Sequence, residues 1–110
     1  MKLAGLSIIG RHRVAPAGQA FPALNPATGQ PIGPDYFSAT AADVDAAARL
    51  AARAFVECRR WSGQQRAEFL KRIAELLEQN GAAIVERAQF ETALPAARLK
   101  GELARTANPA

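Results

Sequence analysis

Two side chains in this sequence could attack an electrophile or relay a proton: Cys58 and His12, the one cysteine and the one histidine in 110 residues. A reactive thiolate needs a base or a cationic neighbour to lower its pKa. Arg59 and Arg60 follow Cys58 directly, but on a helix they point to other sides, and His12 lies far away in the N-terminal arm. Cys58 also falls three residues after Phe55 on an apolar stripe, where cysteine behaves as a small hydrophobe, so the spacing predicts a buried structural residue. His12, between Arg11 and Arg13, reads as a solvated strand end. One cysteine and one histidine cannot supply the three or four ligands of a zinc site without carboxylates. The carboxylate pair Glu75 and Glu78 has a helix-surface spacing and reads as a solvated face.

The stretch Asn25-Pro26-Ala27-Thr28-Gly29-Gln30 is the other candidate, to be weighed as a phosphate-cradling loop. A Walker loop needs two glycines ahead of a Lys-Ser/Thr ending, and a dinucleotide fingerprint needs three glycines between a strand and a helix. Here there is one glycine, and an extended run follows it. The better fit is a turn. Pro26 presets φ at its position, Asn25 can bond forward to the backbone, and Gly29 can take a positive φ, giving a hairpin loop of four or five residues.

Bulk properties narrow the classes further. The net charge is +4, but basic and acidic residues alternate along the C-terminal part, as in Glu68/Lys71 and Arg72/Glu75. The local clusters, Arg11-His12-Arg13 and Arg59-Arg60-Trp61, include one aromatic, too little for a nucleic-acid surface. No apolar run reaches the ~20 residues of a membrane span. The start, MKLAGLSIIG, lacks the apolar core and cleavage site of a signal peptide and reads as mature sequence. A lone cysteine excludes an internal disulfide and suits a cytoplasmic location. With 49% hydrophobic and 22% charged residues, the composition is that of an ordinary globular protein of one domain or part of one.

The elements that would position these residues change character near Thr40. Before it lie most glycines and prolines and three β-prone runs, Leu6–Ile9, Gln19–Leu24 and Tyr36–Ser38. After it, three or four helices are predicted. The first follows a capping arrangement of Thr40 and Asp43, carries Val44, Ala47, Ala51, Ala54, Phe55 and Cys58 as its stripe, and ends near Arg60. The second follows a Ser62/Gln65 box, with Phe69, Leu70, Ile73, Leu76 and Leu77 on one face and Asn80-Gly81 as a left-handed end. The third covers about Ala82–Thr92 with Ile84, Val85 and Ala88. The fourth opens at Pro95, carries Leu99 and Leu103, and stops at Asn108-Pro109. The fold class is α+β and mostly helical: residues 1–39 form an arm and hairpin region, and 40–110 a helical region, together one partial domain.

Several of these pieces, in this order, resemble the N-terminus of the aldehyde dehydrogenase superfamily. They are FPALNPATGQPI (residues 21–32), ATAADVDAAARLAARAF (39–55), the Trp61-x4-Arg66-x2-Phe69-Leu70 stretch, and IAELLEQN (73–80). The segment ETALPAARLKGELART (91–106) is similar to the α-ketoglutarate semialdehyde dehydrogenase branch of that family. The resemblance spans Phe21–Thr106, about the first fifth of a family member. It implies oxidation of an aldehyde, such as α-ketoglutarate semialdehyde, to the acid, with NAD or NADP as cofactor in the full-length family. The family's nucleophilic cysteine, activating glutamate, oxyanion asparagine and cofactor-loop glycines lie beyond the matched segment. Hence no catalytic, cofactor-binding or metal-binding residue is assigned here, and the chain is expected to bind no cofactor and to be inactive by itself. The ending TANPA departs from the family pattern, which suggests an interrupted reading frame or a deliberately cut segment.

Two expectations about partners follow. Apolar helix stripes shaped to face a larger body would be left exposed and drive homo-oligomerisation, for example by exchange of helices or hairpins, with no nucleic-acid or membrane partner. The alternative is a stand-alone helical interaction module derived from such an enzyme, its stripes binding a partner helix.

Overall fold

The computed structural model describes residues 3–108. The readings that touch Met1, Lys2 and Pro109 lie outside the described residues. The element order is β1 (Ile8–Ile9), β2 (His12–Arg13), β3 (Ala20–Leu24), β4 (Pro31–Phe37), α1 (Ala41–Cys58), α2 (Gly63–Gln79), α3 (Gly81–Thr92) and α4 (Ala96–Ala107). The fold is α+β and mostly helical. It divides into two compact units. One contains the chain up to Ala23 together with Ile32–Trp61; the other contains Leu24–Pro31 and the chain from Ser62 onward.

In the first unit, β1 and β2 pair antiparallel with Ile8 opposite Arg13 and Ile9 opposite His12. The single run expected at Leu6–Ile9 is thus one arm of a miniature hairpin. β3 and β4 form the second two-stranded sheet. Backbone bonds from Asn25 to Gln30 and from Ser38 to Gln19 fix its ends as those of a hairpin. β4 begins at Pro31, well before the Tyr36 start expected from the sequence, and runs through Pro34. Proline lacks the N–H that a central strand must donate, but a two-stranded ribbon has open edges where none is required. Phe21 and Tyr36 stack across it, with ring centroids 6.1 Å apart. The N-terminal arm passes so close to this strand that a Cβ on Gly5 would overlap the Asp35 carbonyl, and one on Gly18 the Ser38 carbonyl.

α1 starts with a complete capping box. The Thr40 hydroxyl accepts from the Asp43 amide at 3.2 Å, and the Asp43 carboxylate accepts from the Thr40 amide at 2.8 Å. Its orientation departs from the expected stripe. Ala47, Leu50 and Cys58 are the half-buried residues, while Val44, Ala51, Ala54 and Phe55 are exposed. The helix packs against β1, and that contact selects the side carrying Leu50. A helix this rich in alanine offers more than one apolar face, and periodicity cannot choose between them.

The second unit is a three-helix arrangement with α4 packed on both α2 and α3. The Ser62/Gln65 capping box is complete. Asn80 ends α2 and precedes α3, but at φ −97 it is not left-handed, and Gly81 is the first residue of α3. The corner expected to need a left-handed residue is capped instead by the Asn80 side chain, which donates to the Leu76 carbonyl at 2.8 Å. Gly81 is buried because of its neighbour: a Cβ there would lie 2.7 Å from Leu103 Cδ2. The left-handed residue sits one helix later, at Ala93 (φ 57), where α3 ends. Val85 and Ala107 are the most deeply buried apolar side chains, each 6% exposed. Ile84, Ala88, Leu99 and Leu103 are half-buried around them, as their spacing predicts.

Candidate functional site

The glycine loop is a self-contained turn. The Asn25 carbonyl accepts from the amides of Thr28 (3.2 Å) and Gly29 (2.7 Å), while the Asn25 amide donates to the Gln30 carbonyl (2.9 Å). Asn25 Oδ1 accepts from the Ala27 amide (2.9 Å), and Thr28 Oγ1 from the Gln30 amide (3.3 Å). Pro26 has no amide hydrogen. Every backbone donor from Asn25 to Gln30 is therefore engaged inside the loop, and a phosphate needs several such donors turned toward it. Gly29 has φ 70, and a Cβ there would meet no atom within 4 Å. Glycine is required by the turn's conformation alone.

Cys58 ends α1 half-buried, on the same side of the helix as Ala47 and Leu50. The Cys58 carbonyl accepts from the Trp61 amide at 3.1 Å as the helix unwinds. His12 is exposed on β2. Among the described residues no group of three or more His, Cys, Asp or Glu side chains could hold a metal. Glu75 is paired with Arg72 at 3.0 Å, and Glu78 accepts from the Asn108 side-chain amide at 2.7 Å. The Asp43 carboxyl is perturbed. Hydrogen bonds from the Thr40 backbone amide and then the Thr40 hydroxyl hold it below its ordinary 3.8. That is the chemistry of a helix cap.

Two open clefts run between helices of the second unit. One, of about 590 Å³, lies along α2 and the end of α4 and is lined by Leu70, Ala74, Leu77, Thr106 and Ala107. The other, of about 430 Å³, lies between α3 and α4, beside Val85, Gln89, Ala96 and Leu103. Both are mainly apolar, with Lys71, Glu75, Glu78 and Asn108 also lining the first and Glu78, Glu86 and Lys100 the second. The sequence did not point to either, since clefts arise from how helices cross.

The more prominent feature is uncovered apolar surface on the long helices. On α1, Val44 is 59% and Phe55 63% exposed; on α2, Leu70 is 63% and Ile73 41% exposed. No helix among the described residues is long and apolar enough to cross a membrane. Contiguous exposed apolar surface is a common mark of an interaction site.

Comparison with known proteins places the chain in a family. The aldehyde dehydrogenase family profile matches residues 14–109. The chain belongs to the aldehyde dehydrogenase family. It is similar to α-ketoglutaric semialdehyde dehydrogenase 2 of Azospirillum brasilense, with 42% identity over 107 residues, covering 96% of this chain and 20% of that protein. It is also similar to α-ketoglutaric semialdehyde dehydrogenase of Acinetobacter baylyi, with 39% identity over 101 residues, covering 92% and 19%. No solved structure matches the chain. This aldehyde dehydrogenase family chain thus spans about a fifth of the length of the curated relatives it matches. The family uses NAD(P); in the Asn25–Gln30 loop of this chain the backbone donors are all engaged within the loop itself.

Proposed function

We propose that this chain is the N-terminal part of an NAD(P)-dependent aldehyde dehydrogenase that oxidises a semialdehyde, such as α-ketoglutarate semialdehyde, to the carboxylic acid. In this reading the chain supplies scaffold, and the thiolate, the activating glutamate and the cofactor loop belong to the remainder. The observation that carries it is the near-full-length match of this chain to one fifth of two semialdehyde dehydrogenases. Exposed apolar faces on α1 and α2 favour self-association of the isolated chain into a homo-oligomer, and the lone cysteine favours a cytoplasmic setting.

The test is a chimera in which this chain replaces the matching fifth of the Azospirillum enzyme. Oxidation of α-ketoglutarate semialdehyde with NAD or NADP supports the reading; an assembled chimera without turnover counts against it. The isolated chain, given the same aldehyde and cofactors, should form no reduced nicotinamide, and turnover by it would refute the scaffold role. The same exposed faces would also suit a stand-alone module that grips a partner helix. That reading gains if the chimera fails while the isolated chain captures a defined helical partner.

A further inference from the structure

The sequence holds three asparagines, Asn25, Asn80 and Asn108, and two of them precede proline, whose nitrogen carries no hydrogen. Asn80 precedes Gly81. A glycine has no side chain to hinder it, so its nitrogen is the backbone nitrogen best able to reach the side-chain carbon of the residue before it. The fold sets this pair at the corner between α2 and α3, with Asn80 exposed and Gly81 buried. Asn80 Nδ2 donates to the Leu76 carbonyl at 2.8 Å, which draws the side chain back over the last turn of α2 while the Gly81 nitrogen leads on into α3. The Asn80 amide donates to the same carbonyl at 3.2 Å. Gly81 is pinned from the other side, where a Cβ would lie 2.7 Å from Leu103 Cδ2. The closed corner therefore keeps the reactive nitrogen and the amide carbon from meeting.

We propose that Asn80-Gly81 is a deamidation site gated by the α2–α3 corner, shielded while the corner is closed and reactive when it opens. In the open state the Gly81 nitrogen gives up its proton and attacks Asn80 Cγ. The N–Cγ bond forms as the Cγ–Nδ2 bond breaks, and Nδ2 leaves with a proton as ammonia. Water then opens the cyclic imide and is the only co-reactant. Cleavage at Cγ leaves aspartate; cleavage at the main-chain carbonyl leaves isoaspartate, whose backbone runs through Cγ and gains a methylene. Neither product restores the corner. Aspartate turns an acceptor toward the Leu76 carbonyl, itself an acceptor, and adds negative charge at the negative end of α2. At φ −97 and ψ 4 the residue also lacks the extended backbone through which a carboxylate would cap α3. Isoaspartate lengthens the chain where Gly81 has no spare room beside Leu103. A chain that reacts while open is thus withdrawn from the folded pool, because modification of the open state makes unfolding one-way.

The experiment incubates the 110-residue chain at mildly alkaline pH, in native buffer and in guanidinium chloride. Trypsin releases the peptide Ile73–Arg87, and its mass reads the ammonia lost and water gained. Labelling by an isoaspartyl methyltransferase reads the isoaspartate. The same peptide made synthetically sets the unshielded rate. Conversion in denaturant should match the peptide, and conversion in native buffer should be slower by about tenfold or more, the factor by which closed corners outnumber open ones. Leu103→Ala, which frees Gly81, should speed the native reaction severalfold while circular dichroism still shows a helical chain. If that variant does not fold, the wild-type comparison decides, since it needs no substitution. Equal wild-type rates in native buffer and denaturant overturn the gate. A chain that stays unmodified in denaturant while the peptide converts overturns the site. A folded Leu103→Ala chain no faster than wild type overturns the role given to the Gly81–Leu103 contact. Isoaspartate-bearing chains that refold with unchanged helical content and thermal midpoint overturn the one-way consequence.

Discussion

The side-chain amide of Asn108 donates to the Glu78 carboxylate at 2.7 Å, tying the last turn of α4 to the last turn of α2 across 30 residues of sequence. It sits beside Ala107, one of the two most buried apolar residues, so it closes the rim of a contact that burial has already made. Both partners are exposed, and water competes for each. Asn108→Ala should therefore lower stability by only roughly 0.5–1 kcal/mol, read as a shift in urea midpoint with an unchanged slope. A loss several times larger would mean that the bond organises the α2–α4 contact rather than trimming it.

Ala93 carries backbone strain that no other described non-glycine residue shares. At φ 57 and ψ 16 it closes α3 in the left-handed region, where a Cβ crowds the backbone. It is exposed, so glycine there would sacrifice little packing. Ala93→Gly should raise stability by about 1 kcal/mol, the strain relieved outweighing the freedom added to the unfolded chain. Thermal unfolding followed by circular dichroism checks the sign. A lower midpoint would mean that this residue is not left-handed in solution.

Gly81 and Leu103 form a pair whose energetics should be strongly coupled. A Cβ on Gly81 would lie 2.7 Å from Leu103 Cδ2, yet Gly81 is the first residue of a helix, where alanine would otherwise be favoured. Overpacking should win, with Gly81→Ala destabilising by roughly 1–2 kcal/mol. Leu103→Ala, which leaves a gap among half-buried neighbours, should cost roughly 2 kcal/mol or more. The double variant should lose less than the sum, because the new methyl fills part of the space vacated. Additive losses in urea titrations would show that Leu103 simply rotates away.

What the sequence made legible was the local chemistry. Thr40 with Asp43 and Ser62 with Gln65 announced two helix starts that the structure reproduces as complete capping boxes. The turn at Asn25–Gly29 was readable because proline and glycine constrain their own φ. The failures share one cause, tertiary choice. Val44 and Leu50 are equally plausible as the inward side of α1 until β1 selects Leu50. Pro31 and Pro34 argue against a strand unless it is known that the ribbon has only two strands. Cys58 looked buried because its stripe did, and it is half-covered, as are Ala47 and Leu50 on the same side. Of the reacting centre, residue types showed only that Cys58 lacked a base next to it in sequence. The aldehyde chemistry was legible only through resemblance to the family.

The Thr40–Asp43 box should give the chain a measurable acid limb. The Asp43 carboxylate accepts from the Thr40 amide at 2.8 Å and from the Thr40 hydroxyl at 2.7 Å, and these bonds hold its pKa below 3.8 in the folded state. In the unfolded chain both donors are lost and the pKa returns to the ordinary value. Between those two pKa values the unfolded state binds more protons, so stability rises with pH through that window. The contribution is fully present above the unfolded pKa and disappears as pH falls through the folded one. Asp43→Asn keeps an oxygen that can accept from the Thr40 amide but removes the titration. The wild-type chain should therefore exceed Asp43→Asn in thermal midpoint at neutral pH, with the gap closing as the pH drops below the ordinary aspartate range. A gap that stays constant down to strongly acid pH would mean that the carboxylate's charge adds nothing to the cap, and that shape alone starts α1.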